Sequence, residues 1–313
     1  MRFLLITTFS LLASIASARD TIQIAGSSTV LPFATVVAEA FGENSEFNTP
    51  VVEGGGTGAG IKKFCEGTDD ASIDIVTASR PMKAEEVAAC ASTGVTDITE
   101  VRIGYDGIVF ASANTGPTYA LTAKDIYLAI GKDSTAITWN EVNPQLPDEK
   151  ILMLVPGTKH GTREVFDQKV MIAGCKAVKG DISKEEKSCV ELRKDSAVTE
   201  IDGDYTETLN RIKTDMHAIG VFGLSFYENN TDTLQVASVE GVVPSADSIA
   251  SSAYPVSRPL FFYVKNAHIG STPGLKEFAQ FFVSDDMAGP DGTLVSYGLV
   301  SDPKLADTQA TLK

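Results

Sequence analysis

Hydroxyls and backbone amides recur at helix starts along this chain, a pattern that can hold an oxyanion without a metal or a covalent bond. The densest instance is VVEGGGTGAGIKKF over 51–64. Val51 and Val52 suit a buried strand, and Gly54, Gly55, Gly56, Gly58 and Gly60 then make a turn with no side chains to keep a ligand away. Ile61 to Phe64 begin a helical pattern, which places the amides of Thr57 to Gly60 at a helix N-terminus. Unpaired donors and the macrodipole favour negative charge there.

Three further joints have the same form. Ser28 and Thr29 stand between a strand at Thr21–Ala25 and a helix over Val30–Phe41, with Pro32 in its first turn. Helix capping is the commoner task of such hydroxyls, and it can coexist with ligand contact. Ser79 and Arg80 follow the strand Ile73–Ala78 and precede a helix from Lys83 to Ser92. An Arg at the carboxyl end of an apolar strand is placed to face a crevice. His160, Gly161, Thr162 and Arg163 join the buried strand Ile151–Val155 to a helix over Glu164–Ile172.

Other chemistries lack their motifs. The glycine turn has the spacing of a nucleotide phosphate loop, but Ile61 stands where the motif needs Lys, and no register gives the dinucleotide fingerprint. The three histidines, His160, His217 and His268, are scattered and form no HExxH, so no metal site is expected. There is no GxSxG elbow, and no catalytic residues are assigned.

The elements that must position these groups alternate between strand and helix, which implies an α/β protein. Glu100–Ala111 reads as a long strand crossing into a second lobe, and Ser257–Val264 as the return. Within the second lobe, Thr122–Ala129 is expected as helix, Trp139 in a turn-rich connector, residues 174–200 as solvated helix and loop, and Ala218–Tyr227 as strand. A helix over Pro273–Val283 follows the return. Lobe 1 is expected over 19–105 and 258–313 and lobe 2 over 106–257, around a central cleft.

Residues 1–18 form an apolar leader with Arg2 at its start and small residues at Ala16 and Ala18, expected to be a cleaved signal peptide that delivers the chain to the periplasm. No Cys marks a lipid anchor at the cut. The four cysteines admit three connectivities, and local pairing of Cys65 with Cys90 and Cys175 with Cys189 is expected because each bond would staple one lobe. A net charge of −15 disfavours nucleic acid and anionic membranes as partners. A closed cleft still presents its own local dipoles to a small anion.

Taken together and in order, AGSSTVLPF, GGGTGAG with IKKF, DIVTASRPM, HGTREVF, AIGVFGLSFY and YPVSRPLFFYV resemble the phosphate-binding proteins of ABC phosphate importers. The resemblance covers the mature chain. It implies a two-lobed periplasmic-binding-protein fold of the type II kind, hinged at the two crossings. It also implies a monomeric, non-enzymatic receptor without cofactor, which captures inorganic phosphate and passes it to a membrane permease. Ser28, Thr29 and Thr57 match the family's phosphate-holding positions in the first lobe. His160, Gly161 and Thr162 match its second-lobe Ser-Gly-Thr, with His160 in place of serine. Gly58, Ser79, Arg80 and Arg163 complete the expected set, the two arginines supplying positive charge where Pro156 replaces a familial Arg. Asp106 is a candidate acceptor for the phosphate's proton. The alternatives are a receptor for another oxyanion (sulfate, arsenate or a phosphate ester) and an exported phosphatase on this scaffold.

Overall fold

The computed structural model describes residues 19–158, 161–202 and 205–313; the leader and His160 lie outside them. Three strand-turn-helix joints build the first half: β1 (Gln23–Gly26) with α1 (Leu31–Asn44), β2 (Val51–Glu53) with α2 (Thr57–Phe64), and β3 (Ile75–Ala78) with α3 (Ala84–Ser92). β1 lies parallel between β2 and β3. Glycine is required where α2 meets β1: a Cβ at Gly60 would come within 2.4 Å of the Gly26 Cα, and one at Gly26 within 2.1 Å of the Thr77 carbonyl oxygen. The helix start is thereby pressed against the strand ends, where the site lies.

The 16-residue strand β4 (Ile98–Ala113) runs through both halves. The second half continues with β5 (Ala120–Leu121), α4 (Ala123–Ile130), α5 (Trp139–Val142), β6 (Met153–Pro156), α6 (Gly161–Phe166), β7 (Val198–Ile201), β8 (Ile219–Gly223), β9 (Leu234–Val236) and β10 (Ser238–Val239). The return strand is β11 (Ser257–Lys265). Among the described residues a nine-stranded sheet has the order β2-β1-β3-β11-β4-β8-β6-β7, with β9 also on β4. β11 pairs with β4 over residues 98–107, whereas β8 pairs with it over Ile108–Ala111, so the change of partner marks the passage between lobes.

The apolar core divides in the same place. Phe110, Trp139, Phe166 and Phe222 belong to one cluster, and Val37, Phe41, Phe262 and Phe278 to another. A smaller cluster around Phe64, Val76 and Phe261 includes Cys65 and Cys90. Burying each such large side chain stabilises the fold by about 1.5–3 kcal/mol. Disulfides join Cys65 to Cys90 and Cys175 to Cys189, the local pairing expected. No helix among the described residues is long and apolar enough to cross a membrane.

Several sequence expectations are corrected. Trp139 starts a short helix and is fully buried, because its indole packs against Tyr119 at 5.8 Å between ring centroids. The stretch 174–200 contains a strand start as well as helix: β7 pairs with β6 at the sheet edge. The run Ala218–Tyr227 ends its strand at Gly223 and turns into a helix over Leu224–Glu228. The helix expected from Glu164 begins at Gly161 and passes through a π turn at Asp167–Met171 before resuming over Ile172–Lys179.

Candidate functional site

The loop between β1 and α1 folds on itself: the Thr29 amide donates to the Ser27 hydroxyl at 3.2 Å. This leaves the buried Thr29 hydroxyl to face the cleft. There it accepts a hydrogen bond from Arg258 Nη2 and donates one to Glu164 Oε2 at 3.2 Å, across the cleft from α6. Arg258 Nη1 donates to Ser79 Oγ at 3.2 Å. Ser79 is held in turn by Thr57, whose hydroxyl lies 3.1 Å from Ser79 Oγ and accepts from the Ser79 amide at 3.1 Å. Three of the four helix-start joints are thus tied together, with the Arg258 guanidinium at their centre.

Arg258 is 4% exposed. Its cross-strand partner on β4 is Asp106, with Nε 3.7 Å from Oδ2. Both of these atoms are shielded from solvent, and neither has a hydrogen-bond partner among the described residues. Burial lifts the Asp106 carboxyl above the usual carboxylate range, and the Arg258 charge only partly opposes it. Asp106 also lines a cavity, so this unmet hydrogen-bonding capacity lies at the cavity wall, where a guest could draw on it.

That cavity, about 360 Å³, is lined by Thr29 and Asp106 together with Thr162, Tyr205, Phe226 and Tyr297 from the rest of the cleft wall. Thr162 Oγ1 hydrogen-bonds the Tyr205 hydroxyl. Burial pushes that phenol up to about 12, the Thr162 contact opposing and the Asp106 charge reinforcing the shift. Tyr205 therefore stays protonated and can donate to an anion. Its ring is braced by Phe226 and Phe222, with centroids 5.2 and 5.6 Å away. Tyr297 reaches the cleft because the C-terminal segment bonds back to the crossing, Tyr105 and Val300 exchanging backbone hydrogen bonds of 2.8 and 2.9 Å.

The remaining expected residues are placed as follows. Ser28 and Gly58 are exposed, and neither lines the cavity. Gly161 opens α6, and His160 before it lies outside the described residues. Arg80 turns to Glu86 with bonds of 2.8 and 2.7 Å, which raise its own pKa and hold the Glu86 carboxyl below its usual range. Arg163 is buried between Asp167 and Glu200, at 2.7 and 2.5 Å; burial works against its charge, but these carboxylates more than offset it. The guanidinium among the cleft hydroxyls is instead that of Arg258. Sequence reasoning passed over it, as it did Tyr205 and Glu164. The available signal was a charged residue inside the otherwise apolar run of β11.

Residues 13–286 match the model of the PBP superfamily domain. The chain is 30% identical over 294 residues to the protein SphX of Synechococcus elongatus, covering 91% of this chain and 79% of that protein. It is 30% identical over 265 residues to the phosphate-binding protein PstS of Staphylococcus haemolyticus, covering 83% and 75%. A crystal structure described as a possible phosphate binding protein from Planctomyces limnophilus superposes with a TM-score of 0.72 at 25% identity, covering 93% of this chain and 98% of that one. With these matches spanning both halves of the sheet and the cleft between them, the chain belongs to the PBP superfamily and, within it, to the PstS family of binding proteins.

Proposed function

We propose that the protein captures inorganic phosphate in the cleft between its lobes and delivers it to the permease of an ABC importer. The observation that carries this reading is the buried ion pair at the cleft, Arg258 Nε and Asp106 Oδ2, neither of which has a hydrogen-bond partner among the described residues. An oxyanion that retains a proton can accept from the guanidinium and donate to the carboxylate. Hydrogen phosphate meets both demands; sulfate, with no proton to give, would set its oxygen against the Asp106 carboxylate. A site built around a ligand's hydroxyl rejects the analogue lacking it by as much as roughly 10⁴-fold.

Thr29, Thr162 and Tyr205 supply further donors from both lobes, with Ser79 and Thr57 holding Arg258 in place. Ligand bridging the lobes favours closure by contacts that an open cleft lacks. No reaction is assigned to the site: the protein is a receptor, acting as a monomer outside the cytoplasm after removal of its leader. The relatives named as phosphate-binding proteins support this reading. Calorimetric titration of the mature protein with phosphate and with sulfate tests it. Tight phosphate binding undisturbed by equal sulfate is expected; absence of phosphate binding, or equal competition by sulfate, overturns it.

A further inference from the structure

The cleft already contains an anion of its own. Glu164, near the start of α6, accepts from Thr29 Oγ1 at 3.2 Å, and its other oxygen lies 3.6 Å from Arg258 Nη1. Thr29 and Arg258 belong to the other side of the cleft. Gln168 steadies the same carboxylate from one turn along the chain, at 3.3 Å. Within this knot Arg258 brings one positive charge, while Asp106 and Glu164 bring two negative ones. A bound oxyanion would add to a negative excess unless one carboxylate gives way.

The two carboxylates differ in their freedom to move. Asp106 is fixed in β4 opposite Arg258, and its side chain is 13% exposed. Glu164 has the longer side chain, is 34% exposed, and is carried by the opposite lobe. Separation of the lobes would withdraw it and free Thr29 Oγ1 and Arg258 Nη1 of these contacts. We infer that Glu164 is a tethered rival of the bound anion, latching the ligand-free cleft onto Thr29 and Arg258 and giving up those donors when the anion enters.

The inference rests on the phosphate reading for its ligand but not for the latch itself, and one experiment separates the two. The mature wild type, Glu164→Gln and Glu164→Ala are compared by small-angle X-ray scattering without ligand and by calorimetry with inorganic phosphate. The ligand-free wild type is expected to be as compact as its phosphate-saturated form, and the ligand-free variants more extended. If the latched state holds about nine-tenths of the ligand-free protein, its removal tightens phosphate binding by roughly tenfold. Weaker or unchanged phosphate binding in both variants overturns the inference, as does a ligand-free wild type no more compact than the variants. If the wild type and both variants fail to bind phosphate, the phosphate reading falls, and the scattering comparison alone decides the latch.

Discussion

Asp106 and Arg258 are register partners on the two antiparallel strands that carry the chain between its lobes. Their facing atoms stand 3.7 Å apart, with no hydrogen-bond partner among the described residues. The sheet's own register therefore places an acceptor and a donor side by side at the hinge, where a bound ion would feel lobe closure directly.

Asp106→Asn should erase anion selectivity rather than anion binding. The variant removes a negative charge from the cleft, so sulfate binding should improve, while phosphate loses the acceptor for its proton. The phosphate-to-sulfate affinity ratio should fall by about a hundredfold, the scale of a hydrogen bond to a charged group. Competition calorimetry reads this ratio. Acidification of the wild type should act in the same direction, because a protonated Asp106 becomes a donor. Burial raises this carboxyl's pKa, so the loss should begin at a higher pH than an exposed aspartate would give.

Arg258→Gln should damage stability and binding together. It leaves Asp106 shielded and unpaired and strips partners from Thr29 and Ser79. Breaking a buried pair in this way costs about 3–5 kcal/mol. Replacing both partners by apolar residues, Arg258→Met with Asp106→Leu, should recover most of that stability without recovering phosphate binding. Denaturant unfolding and calorimetry on the two variants distinguish the two effects.

Thr162→Ala and Thr57→Val should differ in kind. Thr162 lines the cavity, so its loss should weaken phosphate binding by about 1–3 kcal/mol with little change in melting temperature. Thr57 does not line it; its hydroxyl holds the Ser79 amide and hydroxyl behind the site. Its replacement should lower thermal stability first and reach affinity only through Ser79 and Arg258. Equal effects of both variants on affinity would contradict this division of labour.

The strand-turn-helix joints were legible in the sequence because glycine, hydroxyl and apolar periodicity all change at the same points. Thr29, Thr57, Ser79 and Thr162 stood out for that reason. Arg258 did not, since a residue inside SRPLFFYV reads as core strand. Only the pairing of β11 with β4 brings Asp106 opposite it, and register between strands some 150 residues apart has no local signal. Arg80 and Arg163 were read as site charges because they sit beside the turns. Asp167, at helical i,i+4 spacing from Arg163, and the nearby Glu86 were readable as local partners, whereas Glu200 comes within reach only after folding. The edge strand Val198–Ile201 was hidden for a related reason: charged residues surround it, and its pairing with β6 is long-range.

Lys265 gives a pH prediction far from the cleft. It is fully buried at the end of β11, donating to the Gly67 carbonyl at 2.6 Å and to Ser72 Oγ at 2.7 Å. Burial lowers its pKa to about 8, a shift that the nearby Asp74 and Asp69 only partly oppose. An unfolded lysine keeps its proton to about pH 10.4, so between those two values the unfolded chain binds the extra proton. Stability from this residue should therefore rise with pH across that window, at up to about 1.4 kcal/mol per pH unit. Above pH 10 the sign reverses, because burial holds Tyr119, Tyr205, Tyr254 and Tyr263 protonated in the fold while unfolded tyrosines ionise. Thermal melts of the wild type from pH 7 to 11 should thus rise from pH 8, pass a maximum near 10 and fall. Lys265→Met should keep the fall and lose the rise; a rise that persists in the variant would show that another group carries it.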